Sequence, residues 1–220
     1  MSRFFLSILS VACWLTAACV CAQPASVNGP TVKVGDTWMY NTLNGWTGEL
    51  SYVSVNNVAD IARDAIRMES RTLAGELTAK VTRTPGFNLM RIEAANFTQR
   101  ATPHYPNYAF PLHVGKTWKQ SVDLGNTQAL GNEVKASLEG RVVGWETVTV
   151  PAGNFRTLKI VLSGWYQASN LDYNWSGRIE DTLWYSPDVR NAVRYEYKDT
   201  LGVAVFNHEI HELVRYWLAP

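Results

Sequence analysis

Residues 133–142 read EVKASLEGRV, in which apolar side chains alternate with charged or hydroxyl-bearing ones. The apolar positions on one side of an extended chain are Val134, Ala136, Leu138 and Val142. Successive side chains of a strand point to opposite faces, so this alternation predicts a β-strand with one buried face and one wet face. A sheet of that kind is typically antiparallel, because both faces of parallel sheets are usually covered.

A hairpin signal follows this strand. Residues 150–155 read VPAGNF, with Pro151 and Gly153 at the second and fourth positions of a type I turn. We expect the turn to join a strand over 147–150 to another over 155–163. A phosphate-binding loop is excluded here, because such a loop needs a further glycine, a lysine and a following helix.

The rest of the chain consists of similar short runs rich in Val, Ile, Thr and aromatic residues, which are separated by Gly, Pro, Asn and Asp. This composition is typical of strands and turns and predicts an all-β domain. Further strands are expected at 51–55, 77–83, 88–92, 118–124, 133–143, 175–185, 192–198 and 203–216. In the 175–185 strand the residues that share an apolar face are Trp175, Ile179, Leu183 and Tyr185.

One stretch fits two structures. Over residues 57–66 the apolar residues Val58, Ile61 and Ala65 recur at helical spacing, and Asn57 could cap such a helix. The end of the same stretch also alternates as a strand does. We favour a turn followed by a strand.

A five-residue echo divides the chain. Residues 34–38 read VGDTW and residues 114–118 read VGKTW, which predicts two tight glycine turns that each lead into an aromatic-bearing strand. The proline-rich stretch 101–111 lies between them, and we expect it to be a crossover between two halves of the sheet.

The N-terminus has the layout of a secretory signal peptide over residues 1–22. Arg3 supplies a positive charge, an apolar run follows, and a small residue precedes the expected cut before Gln23. Residues 23–220 are then one β-rich domain, periplasmic or secreted. Two alternatives remain: acylation of Cys19 in a lipoprotein, or retention of the run as an uncut anchor. After residue 22 no stretch approaches the roughly 20 apolar residues that cross a bilayer.

Composition narrows the function classes. Twenty Lys and Arg face nineteen Asp and Glu, so the chain lacks the basic excess of a nucleic-acid-binding protein. A hydrophobic content of 46% excludes wholesale disorder. All three cysteines, Cys13, Cys19 and Cys21, lie in the leader, so a cleaved chain has no disulfide and no thiolate site.

Four motifs together resemble a family of uncharacterised exported bacterial proteins. They are the V-G-x-T-W turn at 114–118, V-P-A-G-x-F at 150–155, W-Y-x-P at 184–187 and the C-terminal strand at 212–216. The chain departs from the family pattern at 188–191, where the family usually has a glycine pair. The resemblance implies an envelope location and a curved, mostly antiparallel sheet, either a half-barrel or an open barrel, with a β-sandwich as the alternative. It implies no activity, since the family has no agreed catalytic residues.

The HEIHE stretch at 208–212 is the one cluster with metal-ligand composition. His208 and His211 are three residues apart, so on a strand they point to opposite faces and do not form the helical zinc pair. We therefore predict no metal site, no cofactor and exposed strand histidines. Hydrolase signals are also missing, because no G-x-S-x-G elbow occurs.

Aromatic residues are dense between positions 165 and 185. The predicted ligand-binding residues are Trp165, Tyr166, Trp175, Trp184 and Tyr185, which could floor a groove for a lipid, a sugar or an apolar peptide. The competing interpretation is that these rings form the core. Neighbours such as Trp165 and Tyr166 must point opposite ways on a strand, so some of the rings lie outside the main core.

These observations favour a non-enzymatic envelope protein that binds or carries an apolar or amphiphilic ligand on a concave sheet face. The alternative is a structural or assembly partner of an envelope complex, which would present an exposed apolar patch or sheet edge. A hydrolase is a third hypothesis. Neither nucleic acid nor a transmembrane span of the mature chain is expected.

Overall fold

The structure is a computed structural model that describes residues 24–126, 133–170, 172–201 and 204–220. The predicted signal peptide and Cys19 therefore lie outside the described residues. Within these ranges the chain forms twelve strands and no helix. The strands are β1 (Thr37–Asn44), β2 (Leu50–Ile61), β3 (Ile66–Arg71), β4 (Leu77–Arg83), β5 (Leu89–Ala94), β6 (Thr98–Tyr105), β7 (Thr117–Asn126), β8 (Glu133–Val150), β9 (Gly153–Ser169), β10 (Asn174–Ser186), β11 (Asn191–Leu201) and β12 (Ala204–Trp217).

All twelve strands belong to one sheet that closes into a barrel. Each strand pairs antiparallel with its neighbours in sequence, and β12 returns to pair with β1, where Trp38 lies opposite Tyr216. The prediction of an all-β, curved, antiparallel sheet is confirmed, and the curvature continues to full closure. A β-sandwich is excluded because there is no second sheet among the described strands.

The predicted crossover at 101–111 is wrong. Its first five residues belong to β6, and the segment that follows leads into β7, which pairs directly with β6. A meander in which every strand pairs with the next has no need of a crossover. The prolines misled the prediction, because Pro103 lies inside a strand, where proline is uncommon.

Residues 57–66 form strand and turn. β2 continues to Ile61, and a turn closed by the 2.8 Å hydrogen bond from Ala62 N to Ala65 O leads into β3 at Ile66. Val58 and Ile66 are both buried. The favoured interpretation, a turn followed by a strand, is therefore correct for the end of this stretch, and residues 57–66 form no helix.

Two predicted strands merge into β8. Its pairing with β9 is regular up to Val142 and resumes at Gly144, which leaves Val143 as an extra, exposed residue. A bulge of this type bends its strand and shifts the alternation. The predicted hairpin follows, with Val150 opposite Gly153.

The two V-G-x-T-W repeats adopt the same local structure. Gly35 has φ 95° and Gly115 has φ 84°, values that side-chain-bearing residues rarely adopt. Each glycine N–H donates to a neighbouring strand, Gly35 to Val58 O and Gly115 to Val142 O, both at 2.9 Å. The predicted glycine turns are therefore confirmed.

The tryptophans of the two repeats also make equivalent hydrogen bonds. Trp38 Nε1 donates to Val189 O and Trp118 Nε1 donates to Pro106 O, each at 2.8 Å. Trp38 thus holds the turn after β10, and Trp118 holds the segment after β6. The Trp38 ring is buried and the Trp118 ring is half-buried.

The barrel interior is packed unevenly. Inward side chains from β6 to β10 fill one part with a compact cluster, whose buried members are Ala101, Val122, Ala136, Leu138, Leu162, Tyr166, Ala168 and Ile179. A larger cluster, which includes Trp38, Phe87 and Leu112, occupies the end where the chain enters β1. The walls formed by β2 to β5 contribute few residues to either cluster, and the interior beside them is open.

Candidate ligand-binding cavity

A cavity of about 750 Å³ lies inside the barrel. Side chains of β1 to β6 and β10 to β12 provide almost all of its lining, whereas β8 and β9 contribute their side chains to the compact cluster. Its apolar lining includes Met68, Val81, Leu89, Ile92 and Leu183. Six tyrosines also line it, namely Tyr40, Tyr52, Tyr105, Tyr108, Tyr195 and Tyr197. The volume lies within the range of roughly 300–1,000 Å³ that is usual for small-molecule sites.

The cavity reaches solvent at one end of the barrel. This open end is formed by the turns at 45–49, 72–76 and 95–97. Two lining residues there are accessible: Tyr52 is 53% exposed and Phe97 is 37% exposed. The cavity is therefore accessible to solvent at this end of the barrel.

The opposite, plugged end is closed by aromatic rings. Tyr108 and Phe110, from the segment before β7, stack at 5.4 Å, and both rings meet Tyr185 of β10 edge-on, at 5.5 Å and 5.4 Å. Trp38 meets Phe87 at 5.9 Å beside them. Edge-to-face pairs of this kind add stability beyond area burial. The rings make a solid floor for the cavity.

Asn88 holds this floor in place. Its side chain imitates a strand neighbour: Nδ2 donates to Tyr108 O at 2.9 Å, and Oδ1 accepts from Tyr108 N at 2.8 Å. Both residues are buried, so no water replaces these bonds easily.

Replacing Asn88 with alanine should lower the free energy of unfolding by about 2–4 kcal/mol, because a buried backbone N–H and C=O each lose their partner. Urea denaturation followed by tryptophan fluorescence measures this loss. Thr78→Ala is the control, since that exposed hydroxyl donates to Ser70 O and should contribute less than about 1 kcal/mol. Equal losses in the two variants would contradict the clamp.

A buried carboxyl group lies between two tyrosines in the wall. Asp181 of β10 is fully buried and accepts hydrogen bonds from Tyr105 Oη at 2.6 Å and from Tyr195 Oη at 3.0 Å. Burial raises the pKa of Asp181 to about 7, and the two hydrogen bonds oppose that rise. The carboxyl therefore titrates near neutral pH inside the barrel.

A second polar group faces the cavity from β12. His211 stacks on Tyr195 at 5.4 Å, and its Nδ1 lies 2.9 Å from Thr42 Oγ1. Its Nε2 lies 3.4 Å from a carboxylate oxygen of Glu209. The hydrogen bond from His211 is the main influence that lowers the pKa of Glu209. Glu209 is therefore a carboxylate with a partner.

Arg83, the last residue of β4, is the third polar group. Its Nη1 donates to Phe87 O at 3.0 Å, and its guanidinium carbon lies 4.9 Å from the Phe87 ring centroid. Burial lowers its pKa, whereas the neighbouring Tyr108, Tyr40 and Tyr195 hydroxyl groups raise it. The guanidinium thus faces the cavity from its plugged end.

The five predicted ligand-binding aromatics do not line this cavity. Trp165 lies on the outer face of β9 and is 68% exposed, whereas its neighbour Tyr166 points inward and donates to Asp199 Oδ1 at 2.9 Å. Trp175 packs beside the compact cluster. The predicted opposition of adjacent rings is thus observed. Ligand binding by these residues stays a prediction.

Trp184 and Tyr185 also point in opposite directions. Tyr185 packs against Tyr108 and Phe110 at the plugged end, behind the side chains that line the cavity. Trp184 lies on the outer face, between Lys159 and Arg194, whose charged groups are each 5.2 Å from its ring centroid. Its Nε1 donates to Glu146 Oε1. With these side chains around it, the ring is only 8% exposed.

The two histidines of the HEIHE stretch occupy different faces, as predicted. His208 contacts Glu196 on the outer face at 2.8 Å, and His211 faces the interior. The expectation that they are exposed is wrong, since their side chains are only 13% and 22% exposed. In the part of the chain that the structure describes, no group of three His, Cys, Asp or Glu residues is arranged to hold a metal ion.

The polar residues in and beside the cavity left a faint signal in the sequence. Asp181 falls on the same strand face as Ile179 and Leu183, so a carboxylate interrupts an otherwise apolar face. Buried polar groups need partners, and two tyrosines follow at alternate positions, Tyr195 and Tyr197. Arg83 had no comparable signal, because a strand-end arginine is ordinarily solvated.

The comparisons with known proteins identify a fold. No family model and no curated protein matches the chain. A candidate lipoprotein of Parabacteroides distasonis matches with a TM-score of 0.56 at 17% identity, over 89% of this chain and 100% of that one. A candidate exported protein with a YmcC-like fold from Bacteroides fragilis matches with a TM-score of 0.53 at 17% identity, over 87% and 99%.

The hypothetical lipoprotein YmcC of Escherichia coli matches with a TM-score of 0.46 at 14% identity, over 84% of this chain and 85% of that one. At 17% identity the first two likenesses show a shared fold. The described residues contain no helix that is long and apolar enough to cross a bilayer.

Proposed function

We propose that this protein is an exported, non-enzymatic carrier that binds an apolar or amphiphilic ligand inside its barrel. The observation that carries the proposal is the cavity of about 750 Å³, which is floored by aromatic rings and open at one end. Enclosed cavities with apolar walls and a few polar groups are the usual form of small-molecule sites.

The polar groups in and beside the cavity support binding over catalysis. Asp181 is held by two tyrosine hydroxyls, and His211 is engaged with Thr42 and Glu209. A nucleophile with an adjacent base, held in turn by a third group, would be the sign of a hydrolase. The histidine here has hydroxyl and carboxylate partners, but its hydroxyl partner Thr42 is itself buried.

An envelope location agrees with the sequence and with the fold. The leader over residues 1–22 predicts export, with acylation of Cys19 as the alternative. The candidate exported protein and the candidate lipoprotein share the fold. A carrier of apolar molecules is useful in such a compartment because it shields them from water.

A second candidate function, an assembly partner in an envelope complex, is favoured by the open end. Large apolar side chains there are exposed, including Trp46 at 54%, Leu73 at 67% and Tyr173 at 71%. Exposed apolar side chains grouped at one end of a protein often mark an interaction surface.

Blocking the cavity tests the carrier function. Ala79→Trp on β4 places a large ring in the cavity, and Lys80→Trp places the same ring on the outer face of the same strand. We expect Ala79→Trp to weaken binding of lauryl alcohol by about 10- to 100-fold, because the ligand must displace the ring. Lys80→Trp should bind as the wild type does.

Isothermal titration calorimetry measures the affinities, and native mass spectrometry of protein isolated from its own compartment shows whether a lipid adduct is present. Wild-type protein that binds neither lauryl alcohol nor laurate and carries no lipid adduct would contradict the carrier function. Binding that survives in Ala79→Trp would place the ligand outside the barrel.

A further inference from the structure

Arg83 is the one lysine or arginine among the described residues that line the cavity. Among the described residues its buried Nε has no hydrogen-bond partner, and its one hydrogen bond is from Nη1 to the neutral carbonyl oxygen of Phe87. No described carboxylate forms an ion pair with it. Arg83 is half-buried. A partly buried cation without a counterion is costly, and proteins usually pair such a group.

Two other arginines show what the usual arrangement is in this barrel. Arg91 and Arg194 also have a buried, unpartnered Nε. Each nevertheless forms an ion pair with a carboxylate. Arg91 Nη2 lies 2.8 Å from Glu93 Oε1, and Arg194 Nη1 lies 3.5 Å from Glu212 Oε1. Arg83 differs in that its counterion is missing from the described chain.

The carboxyl group that lines the cavity, Glu209, and the one buried in the wall beside it, Asp181, are already engaged elsewhere. Glu209 lies beside His211 and opposite Asn44, the residue at which β1 ends at the open end. Asp181 accepts from Tyr105 and Tyr195. Arg83 ends β4 at the plugged end, so the one unpaired cation lies deep in the cavity and the anion of Glu209 lies towards its mouth.

We propose that the ligand is an anionic amphiphile, whose carboxylate or phosphate monoester head pairs with the Arg83 guanidinium at the plugged end while its chain extends towards the open end. This inference rests on the proposed carrier function and names the ligand class. A guanidinium fork matches both head groups and forms short, charge-assisted hydrogen bonds with them.

The surroundings of Arg83 suit such a head group. The Tyr108 hydroxyl makes no hydrogen bond to the described residues and is close enough to influence the Arg83 charge. It is thus a free donor for a head-group oxygen. Apolar wall residues such as Val81 and Ile92 continue from Arg83 along the cavity and would contact the chain.

Four ligands with the same twelve-carbon chain test the head group: laurate, lauryl phosphate, lauryl alcohol and dodecyltrimethylammonium. Isothermal titration calorimetry with the wild-type protein should give an affinity for laurate or lauryl phosphate about 10- to 100-fold above that for lauryl alcohol. The cationic ligand should bind most weakly. Whichever anion binds more tightly identifies the source as a fatty acid or a phosphate-bearing lipid.

Variants locate the effect. Arg83→Met should remove the preference for the anions, so that laurate, lauryl phosphate and lauryl alcohol bind this variant with similar affinities. Arg83→Lys should keep part of the preference, because it retains the charge but loses the fork. Arg91→Met is the matched control, since that arginine faces outward on β5, and it should bind all four ligands as the wild type does.

The two proposals fail in different ways. If lauryl alcohol and laurate both fail to bind, the carrier function is wrong. If lauryl alcohol binds and neither anion is preferred, or if Arg83→Met keeps the preference, the inference about Arg83 is wrong and the carrier function stands. The wild-type comparison decides the first point even if Arg83→Met folds poorly.

Discussion

Replacing Asp36 with alanine is expected to lower the free energy of unfolding by about 3–5 kcal/mol, the range found when one partner of a buried ion pair is removed. Asp36 is fully buried and accepts from Arg190 Nη1 at 2.9 Å. It also accepts from Lys33 N at 3.0 Å and from Ala219 N at 2.8 Å. One carboxylate therefore fastens the segment before β1, the segment after β12 and the β10–β11 turn.

The cost has two physical sources. Without Asp36, the backbone N–H groups of Lys33 and Ala219 lose their acceptor, and Arg190 retains a half-buried charge with no counterion. Asp36→Asn should lose less, since an amide oxygen still accepts one of these bonds. Both variants loosen the junction at which β12 closes onto β1.

Urea denaturation at neutral pH, followed by circular dichroism, measures the loss. Asp60→Ala is the control, because Asp60 forms an exposed pair with Arg67, and exposed pairs typically contribute less than about 1 kcal/mol. An Asp36→Ala loss no greater than that of Asp60→Ala would show that the buried carboxylate does not stabilise closure.

Arg190 also illustrates what the sequence could and could not predict. The departure from the family pattern at 188–191 is visible in the sequence, and the structure shows Arg190 at φ 60°, where a glycine would be unstrained. Its guanidinium pairs with Asp36, 154 positions away. A contact between residues so far apart in the sequence leaves no local pattern. The sequence therefore could not predict that an ion pair with Asp36 accompanies the unusual backbone conformation of Arg190.

Strands that face a packed core were predictable, and strands that face the cavity were less so. The alternation of 133–142 survives in β8 because the residues opposite it are apolar. On β2 and β3 the inward residues include Ser54, Asn56 and Ser70, which line the cavity. A partly polar cavity wall weakens the apolar period from which strand faces are predicted.

Closure of the barrel was the other feature beyond prediction. The pattern of Trp184 and Tyr185 predicted that adjacent rings point opposite ways, and the structure agrees. It could not predict that Tyr185 meets Tyr108 from a segment more than seventy residues earlier. Ring contacts of that kind depend on which strands become neighbours, and that in turn depends on the pairing of β1 with β12.

Replacing Asp181 with asparagine is expected to raise the free energy of unfolding at pH 8 by up to about 4 kcal/mol. Burial raises the pKa of Asp181 from 3.8 to about 7 in the folded barrel, so at pH 8 the protein holds an anion that its surroundings disfavour. Asparagine keeps the shape and can still bond Tyr105 and Tyr195, because tyrosine hydroxyls both donate and accept.

The sign of the pH dependence follows from the raised pKa. Between about pH 4 and pH 7 the folded protein binds more protons at Asp181 than the unfolded chain does, so the free energy of unfolding falls as the pH rises. The contribution of this group is complete below about pH 4 and is lost by about pH 8. Tyr105, Tyr195, Tyr197 and Glu180 are the titratable groups around it.

The difference in unfolding free energy between Asp181→Asn and the wild type isolates this group from the other titrating residues. Urea denaturation at half-unit steps from pH 4 to pH 8 should show that difference growing with pH and levelling above about pH 7. Glu180→Gln, at the adjacent outward position, should follow the wild-type curve closely. A difference that does not change between pH 4 and pH 8 would contradict a folded pKa near 7 for Asp181.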